Sequence, residues 1–344
     1  MDRVWGRVKQ ECVHRVENSC REISLRFGRK PAIFWSTVLF ALLFGIAPAI
    51  SQQVAPGDTL RADFLSDTQN PLWPEMLKLS WNNNELARAR IFDAIIEDAP
   101  AAVFHMGDQI ALGFLEKSWA AIDSFCAKLA AKKIPYFPIL GNHELIYFSG
   151  MGREKFEARY PYVNNTGYLR RLGPLAVVLL NSNFGNLSEE NRQKQQAWYE
   201  ETLVRLEKDS TVDIVIVGCH HSPYTNSTIV NPSKEVQENF VRPFLAASKC
   251  RLFVSGHCHA AECFENAGKD FLVIGGGGGL QQPLLTGAER LWIDKFPVQT
   301  ELRMFHYMRC TITAEEVRFT IRMLNDDFAS FRDALTLAFP LRPQ

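Results

Sequence analysis

The sequence lacks an excess of either charge. Its 38 Lys and Arg stand against 38 Asp and Glu over 344 residues, so nothing global draws the chain to DNA, RNA or an anionic membrane. It lacks internal repeats of 20 to 50 residues, which excludes solenoids and propellers. With 47% apolar and 22% charged residues it also lacks the composition of a disordered, collagenous or coiled-coil chain. No Cys-x-x-Cys pair is present, which excludes a thiolate zinc site of that spacing, and the eight cysteines form no dense disulfide framework. The glycine run Gly275 to Gly279 has neither phosphate-loop spacing and reads as a tight irregular turn after a strand.

One long apolar run is present. Pro31 to Ile50 is 20 residues without a charge, enough to cross a hydrocarbon core of about 30 Å as a helix. Residues 1 to 30 ahead of it hold eight Lys or Arg against four acids, and no basic residue follows closely. That asymmetry predicts a basic cytoplasmic leader and an exported body, periplasmic or otherwise extracytoplasmic, held in the inner membrane if the run at 31–50 is retained. Ala47-Pro48-Ala49 and Ala49-Ile50-Ser51 suit signal-peptidase cleavage equally, so an anchor and a signal peptide both stand. Without the leader, 30 basic and 34 acidic residues leave no basic stripe for nucleic acid. Six cysteines lie in this body, compatible with export without requiring it, and Cys219 and Cys258 read as small buried residues beside histidines.

Within the body, short apolar runs end in polar clusters. Leu60 to Leu65 precedes Ser66-Asp67-Thr68-Gln69, Ala101 to Met106 precedes Gly107-Asp108, and Tyr136 to Leu140 precedes Gly141-Asn142-His143-Glu144. Asp213 to Val217 runs toward His220-His221, and Arg251 to Val254 toward Gly256-His257-Cys258-His259. Continuous Val, Ile and Leu runs predict strands covered on both faces, Leu175 to Leu180 among them. Helices are predicted over Asn84 to Asp98, Glu116 to Ala131 and Ser188 to Lys208. This alternation makes an α/β layered core. Ligands in such sheets bind beyond the carboxyl ends of the strands, so the Asp, Asn and His residues of five strands converge on one edge. Arg309 to Thr313 and Glu316 to Met323 read as a hairpin that closes a second sheet.

Five of the eight histidines fall in three of these clusters. Mixed nitrogen and oxygen donors suit Mn, Fe, Zn or Co, and two metals a few Å apart need a shared carboxylate, for which Asp108 is the candidate. The ordered series Asp67-x-Gln69, Gly107-Asp108, Gly141-Asn142-His143-Glu144, His221-x-Pro223 and Gly256-His257-x-His259 resembles the calcineurin-like metallophosphoesterase superfamily over residues 58 to 280. In motif style it is most similar to the purple acid phosphatases and their relatives. The resemblance implies a four-layer α-β-β-α sandwich spanning 58–325, a C-terminal tail at 326–344, an active site at the strand carboxyl ends and two divalent metal ions. It implies Asp67, Gln69, Asp108 and His259 on one metal, and Asp108, Asn142, His221 and His257 on the other. His221 is taken because it stands two residues before Pro223; His220 is then an outer or cleft residue and, with Tyr224, a candidate for substrate contact.

Two departures matter. Gln69 replaces the imidazole usual in the first motif with an amide, which moves that site toward harder ions. Ala111 stands where the purple enzymes have a tyrosine, which predicts a colourless protein. The chemistry implied is attack on phosphorus by a hydroxide held between both metals, with His143 as general acid beside Asn142 and Asp108. Phosphomonoester hydrolysis is the leading expectation. A phosphodiesterase or pyrophosphatase acting on nucleotides or lipids, and a non-catalytic binding protein retaining the fold, stay open. Specificity falls to the loops 70–83, 147–168 and 224–234, where Trp73, Trp81, Tyr147 and Tyr224 can stack on a base or cover an apolar group. His105 and His306 are expected to be structural, and nothing in the sequence marks an oligomeric state.

Overall fold

The computed structural model describes residues 57–164 and 166–342. The basic leader and the apolar run at 31–50 lie outside the described residues. Among those described, no helix is long and apolar enough to cross a membrane.

The chain first lays down β1 (Leu60–Leu65), the short α1 (Trp73–Met76), α2 (Asn84–Asp98), β2 (Ala102–His105), α3 (Ala120–Ala131), β3 (Tyr136–Pro138) and α4 (Ser149–Arg159). It then forms β4 (Tyr168–Leu172), β5 (Leu175–Leu179), α5 (Glu189–Lys208), β6 (Ile214–Gly218), β7 (Cys250–Ser255), β8 (Ala261–Asn266) and β9 (Lys269–Ile274). After a long loop come β10 (His306–Ile312), β11 (Glu316–Leu324) and β12 (Phe331–Pro340). Two six-stranded sheets result, ordered β12-β11-β10-β1-β2-β3 and β4-β5-β6-β7-β9-β8. β1, β2 and β3 run parallel in the first, and β5, β6, β7 and β9 in the second.

Alternation within the strands divides the core into three. Phe64, Phe104 and Phe137 occupy matched register positions, with ring centroids 4.7 and 5.4 Å apart, and meet Val177, Ile216 and Leu252 between the sheets. On the outer face of the first sheet, Leu65 and Val103 bury Ile91, Ile95, Phe125 and Leu129 of α2 and α3. On the outer face of the second, Val178 and Val215 bury Tyr199, Leu203 and Leu206 of α5. The layers are therefore α-β-β-α, as expected. α5 starts where the sequence signals it: Ser188 caps the Asn191 amide at 3.2 Å, acids fill the first turn, and Arg205 and Lys208 lie in the last.

Two expectations about the C-terminal region are corrected. The hairpin formed by β10 and β11 joins the first sheet, because β10 pairs antiparallel with β1 and sends Met308, Cys310 and Ile312 into the core between the sheets. The stretch after 325 is not a tail: β12 pairs with β11 from Val317–Phe339 to Leu324–Phe331 as the outer strand. Only Phe339 along it is fully buried, with Leu335 and Leu337 packed partly buried on the same face, and Arg332 and Asp333 interrupt the apolar alternation at its start.

Candidate metal centre

The carboxyl ends of β1, β2, β3, β6 and β7 all point to one edge, and the chain turns sharply there. Asp67, Asp108 and His257 adopt φ of 59, 55 and 68°, a left-handed conformation that β-carbon sterics disfavour. Such strain gathers where the surrounding structure must aim a side chain. Gly141 is needed for the closeness of the β2 and β3 turns: a β-carbon on it would stand 2.1 Å from Asp108 Oδ1 and 2.3 Å from the Asp108 nitrogen. The glycine run after β9 lies against the first turn, with Gly277 and Gly279 donating to the Ser66 and Asp67 carbonyls at 2.9 and 2.8 Å.

Seven predicted donors meet in this cleft. Asp67 accepts from the His257 amide at 3.1 and 3.0 Å and lies 3.5 Å from His259 Nε2. Gln69 is buried, with Nε2 3.0 Å from His259 Nε2 and Oε1 without a hydrogen-bond partner. Asp108 Oδ1 accepts from the His143 amide at 2.8 Å, while Oδ2 lies 3.2 Å from His220 Nε2. Asn142 Oδ1 is 3.0 Å from the same His220 nitrogen. Two groups whose ligand atoms lie within 4.8 Å of one another emerge: Asp67, Asp108 and His259; and His220, His221 and His257. The Nδ1 atoms of His220 and His259 face the Met106 and Leu280 carbonyls at 2.9 and 2.7 Å, and that of His221 lies 2.8 Å from Ser182 Oγ. A carbonyl only accepts, so Nδ1 of His220 and of His259 carries the proton and Nε2 is free for a metal, the usual outer bonding of a metal-ligating imidazole. The orphaned amide oxygen and the carboxylate-imidazole donor set fit divalent metal ions of the first transition row.

A family comparison decides what this edge is. The calcineurin-like phosphoesterase family profile matches residues 60–261, more than half of the chain. The chain belongs to this family. Family members generally bind two divalent metals at such donors. No curated protein matches the chain. Among solved structures it is similar to GAP50, the anchor in the inner membrane complex of Plasmodium, with a TM-score of 0.61 and 13% identity over 83% of this chain and 90% of that one. It is similar to the purple acid phosphatase PPD1 of yellow lupin (Lupinus luteus), with a TM-score of 0.55 and 16% identity, covering 82% of this chain but 54% of that one. A dimetal phosphatase from Danio rerio gives a TM-score of 0.53 and 13% identity over 82% of this chain and 99% of that one. At these identities the likeness is one of fold.

Electrostatics in this calcineurin-like phosphoesterase favour the metal-binding forms of most of these donors. Burial opposes ionisation of Asp108, but His220 and His143 hold its carboxyl well below the usual range. Burial and the neighbouring His220 push His221 down to about 3, and burial with both other imidazoles lowers His257 far below its ordinary value. These two are neutral, with lone pairs available. Burial would also lower His220, but Asp108 carries it up to about 9, toward its protonated form. His143 belongs to neither donor group. Its Nδ1 faces the Ala111 carbonyl at 2.9 Å, and its Nε2 points into the cleft 3.9 Å from Asp108 Oδ2 and 3.7 Å from Glu75 Oε1.

The structure places two of the predicted residues differently. His220, read as an outer residue, is fully buried and lies against both Asp108 and Asn142, whereas His221 is turned by its Ser182 contact. Tyr224 does not face the cleft: it is 8% exposed, packs on Phe271 and Trp292, and its hydroxyl accepts from Asn266 at 2.8 Å. His105 and His306 are buried away from the donor groups, as expected, and both are lowered by burial. All six described cysteines are free, with Cys219 and Cys258 in the apolar core under α5. Sequence reasoning missed three supports. Glu144, raised to about 7 chiefly by burial, accepts from the amides of Asp108, Gln109 and Gly141 at 3.1, 2.7 and 2.8 Å and so ties two turns together. Its place next to His143 in the motif was the available signal. Ser182 and Glu75 come from a strand end and a loop with no metal motif.

Proposed function

We propose that the chain is a dinuclear metal-dependent phosphomonoesterase. The observation that carries the reading is the meeting of two donor groups at one edge, Asp67, Asp108 and His259 beside His220, His221 and His257, with the Gln69 oxygen buried and unpartnered and His143 aimed at the same space without joining either group. Asp108 lies in one group and contacts His220 of the other, the position of a bridging carboxylate. Asp67, Gln69 and His259 would hold the first ion, and His220, His221, His257 and Asn142 would supply the second. Bound divalent ions would contribute the Lewis acidity that activates water and offsets phosphate charge.

The chain's own residues do the rest. His143, held by the Ala111 carbonyl through Nδ1, presents Nε2 to protonate the departing alkoxide. Glu144 fixes the Asp108 and Asn142 turns, so the donors need little reorganisation. The monoester is favoured because the loops bring no run of cations for the further phosphates of a nucleotide. We further propose that the basic leader and the run at 31–50 carry the domain out of the cytoplasm, which protease protection of intact cells would test. The first experiment is elemental analysis of the purified chain beside hydrolysis of para-nitrophenyl phosphate and its bis-ester, with and without Mn²⁺. Two metals per chain and faster monoester turnover are expected. Faster bis-ester turnover would make it a diesterase, and no turnover with metal bound would leave a binding protein.

A further inference from the structure

Among the described residues, fourteen large apolar side chains stand exposed, and more than half of them gather in two segments. Eight of them, from Trp73 to Leu86 and from Tyr147 to Met151, lie on the segments that follow the carboxyl ends of β1 and β3. That is the edge that carries the metal centre. A scatter of single surface hydrophobics needs no explanation, but a collar of them around a polar cleft does.

Several contacts tie the collar to the centre. Trp73 and Leu77, 62% and 74% exposed, flank Glu75, whose carboxylate is 3.7 Å from His143 Nε2. Tyr147, four residues after His143 and 62% exposed, is held at φ 63°, a left-handed strain at a ring that faces solvent. The exposed Leu291, Trp292 and Ile293 of the loop between β9 and β10 lie apart from the collar, beside β8, where Trp292 packs on Tyr224 and Lys295 pairs with Glu265. Two cations of this edge are engaged: Arg88 donates to the Thr68 carbonyl at 2.9 Å and to Asn70, and Arg303 pairs with Asp294. Glu75 adds a negative charge beside His143, where the leaving group departs, and opposes a leaving group that is itself anionic.

We infer that the substrate is the phosphate ester of a hydrocarbon alcohol, whose chain or ring lies on the apolar collar while its phosphate enters the metal centre. The inference rests on the hydrolase reading above and adds the leaving group. Such an ester is free in solution or held in a lipid surface, and both present the same apolar body.

The test uses the full chain in one detergent and a series of alkylphosphonates from methyl to octyl, whose carbon–phosphorus bond resists hydrolysis. Binding is followed by tryptophan emission, since Trp73 and Trp81 lie on the collar. Affinity should rise about two- to fourfold per methylene, the increment of apolar burial. The double variant Trp73→Ser, Leu77→Ser should flatten that slope and leave methylphosphonate affinity unchanged, while Val204→Ser, off the collar, should keep the slope. A slope that is flat in the native chain, or equal in both variants, overturns the inference. Turnover then separates the two claims: decyl phosphate should outrun adenosine monophosphate at least tenfold, and the reverse order overturns the inference. Chain-length-dependent binding with no turnover of any ester would overturn the hydrolase reading and leave the apolar site standing. Faster turnover of the same ester in phosphatidylcholine vesicles would identify the lipid surface as its source, and an unchanged rate the free ester.

Discussion

Gln69 shows how much one donor atom decides. An amide oxygen is harder than an imidazole nitrogen, and Gln69 Oε1 is buried and unpartnered while its Nε2 lies 3.0 Å from His259 Nε2. Gln69→His should raise Zn²⁺ affinity of the first site on the order of tenfold relative to Mn²⁺, read by competition with a chromogenic chelator; an unchanged ratio would show that Gln69 holds no metal. His143 differs in kind, since its ring touches the Ala111 carbonyl rather than the donors. His143→Ala should lower turnover 10²- to 10⁴-fold, about the range of a general acid, with metal per chain unchanged by elemental analysis. The motif made both residues legible in the sequence. It did not make Glu75 legible, because the contact with His143 joins two loops 68 positions apart, and no local pattern encodes a contact of that kind.

At the scale of elements, the strand ends are spaced by backbone closeness that only glycine permits. With its β-carbon 2.1 Å from Asp108 Oδ1, Gly141→Ala should push the β2 and β3 turns apart and lose most of the bound metal, while far-ultraviolet circular dichroism stays native. The same parallel strands carry a cost away from the cleft. Asp63 of β1 is fully buried with neither oxygen hydrogen-bonded, and burial, reinforced by Asp98, pushes its carboxyl up to about 8. The folded chain therefore binds a proton that the unfolded chain has released between pH 4 and pH 8, and stability falls as pH rises through that window. Asp63→Asn should match the native chain near pH 4 and exceed it at pH 9 by on the order of a few kcal/mol in denaturant titrations. The hydrophobic runs revealed β1, β2, β3, β5, β6 and β7 because each is a mostly apolar stretch, interrupted by Arg61 and Asp63 in β1 and by Arg251 in β7. β12 escaped because an outer strand exposed on one face and crossed by Arg332 and Asp333 lacks that stretch.

For the whole molecule, the metal centre is also a clasp. Its donors come from both sheets, Asp67, Gln69, Asp108 and Asn142 from the first and His220, His221, His257 and His259 from the second, so bound ions would join the halves of the sandwich. An ion at a hundred times its dissociation constant stabilises the folded state by about 2.7 kcal/mol. Chelation should therefore lower the melting temperature by roughly 5 to 10 °C for a domain of this size, reversed by Mn²⁺ and measured by calorimetry. An unchanged melting temperature after verified metal removal would mean that the sheets hold each other without the ions.

The sequence by itself determined the family, the order of the metal motifs and the strand ends on which they sit, because apolar runs and the polar clusters after them are local features of the chain. The tertiary structure alone decided that His220 rather than only its neighbour lies against Asp108 and Asn142, that Tyr224 is buried under Trp292, and that the C-terminal hairpin extends the first sheet. It also brought the exposed apolar residues of 73–86 and 147–151 to one edge. Each of these depends on pairings between segments far apart in the chain, where side-chain direction is set by the register and turn of the partner and not by the residue's own neighbours.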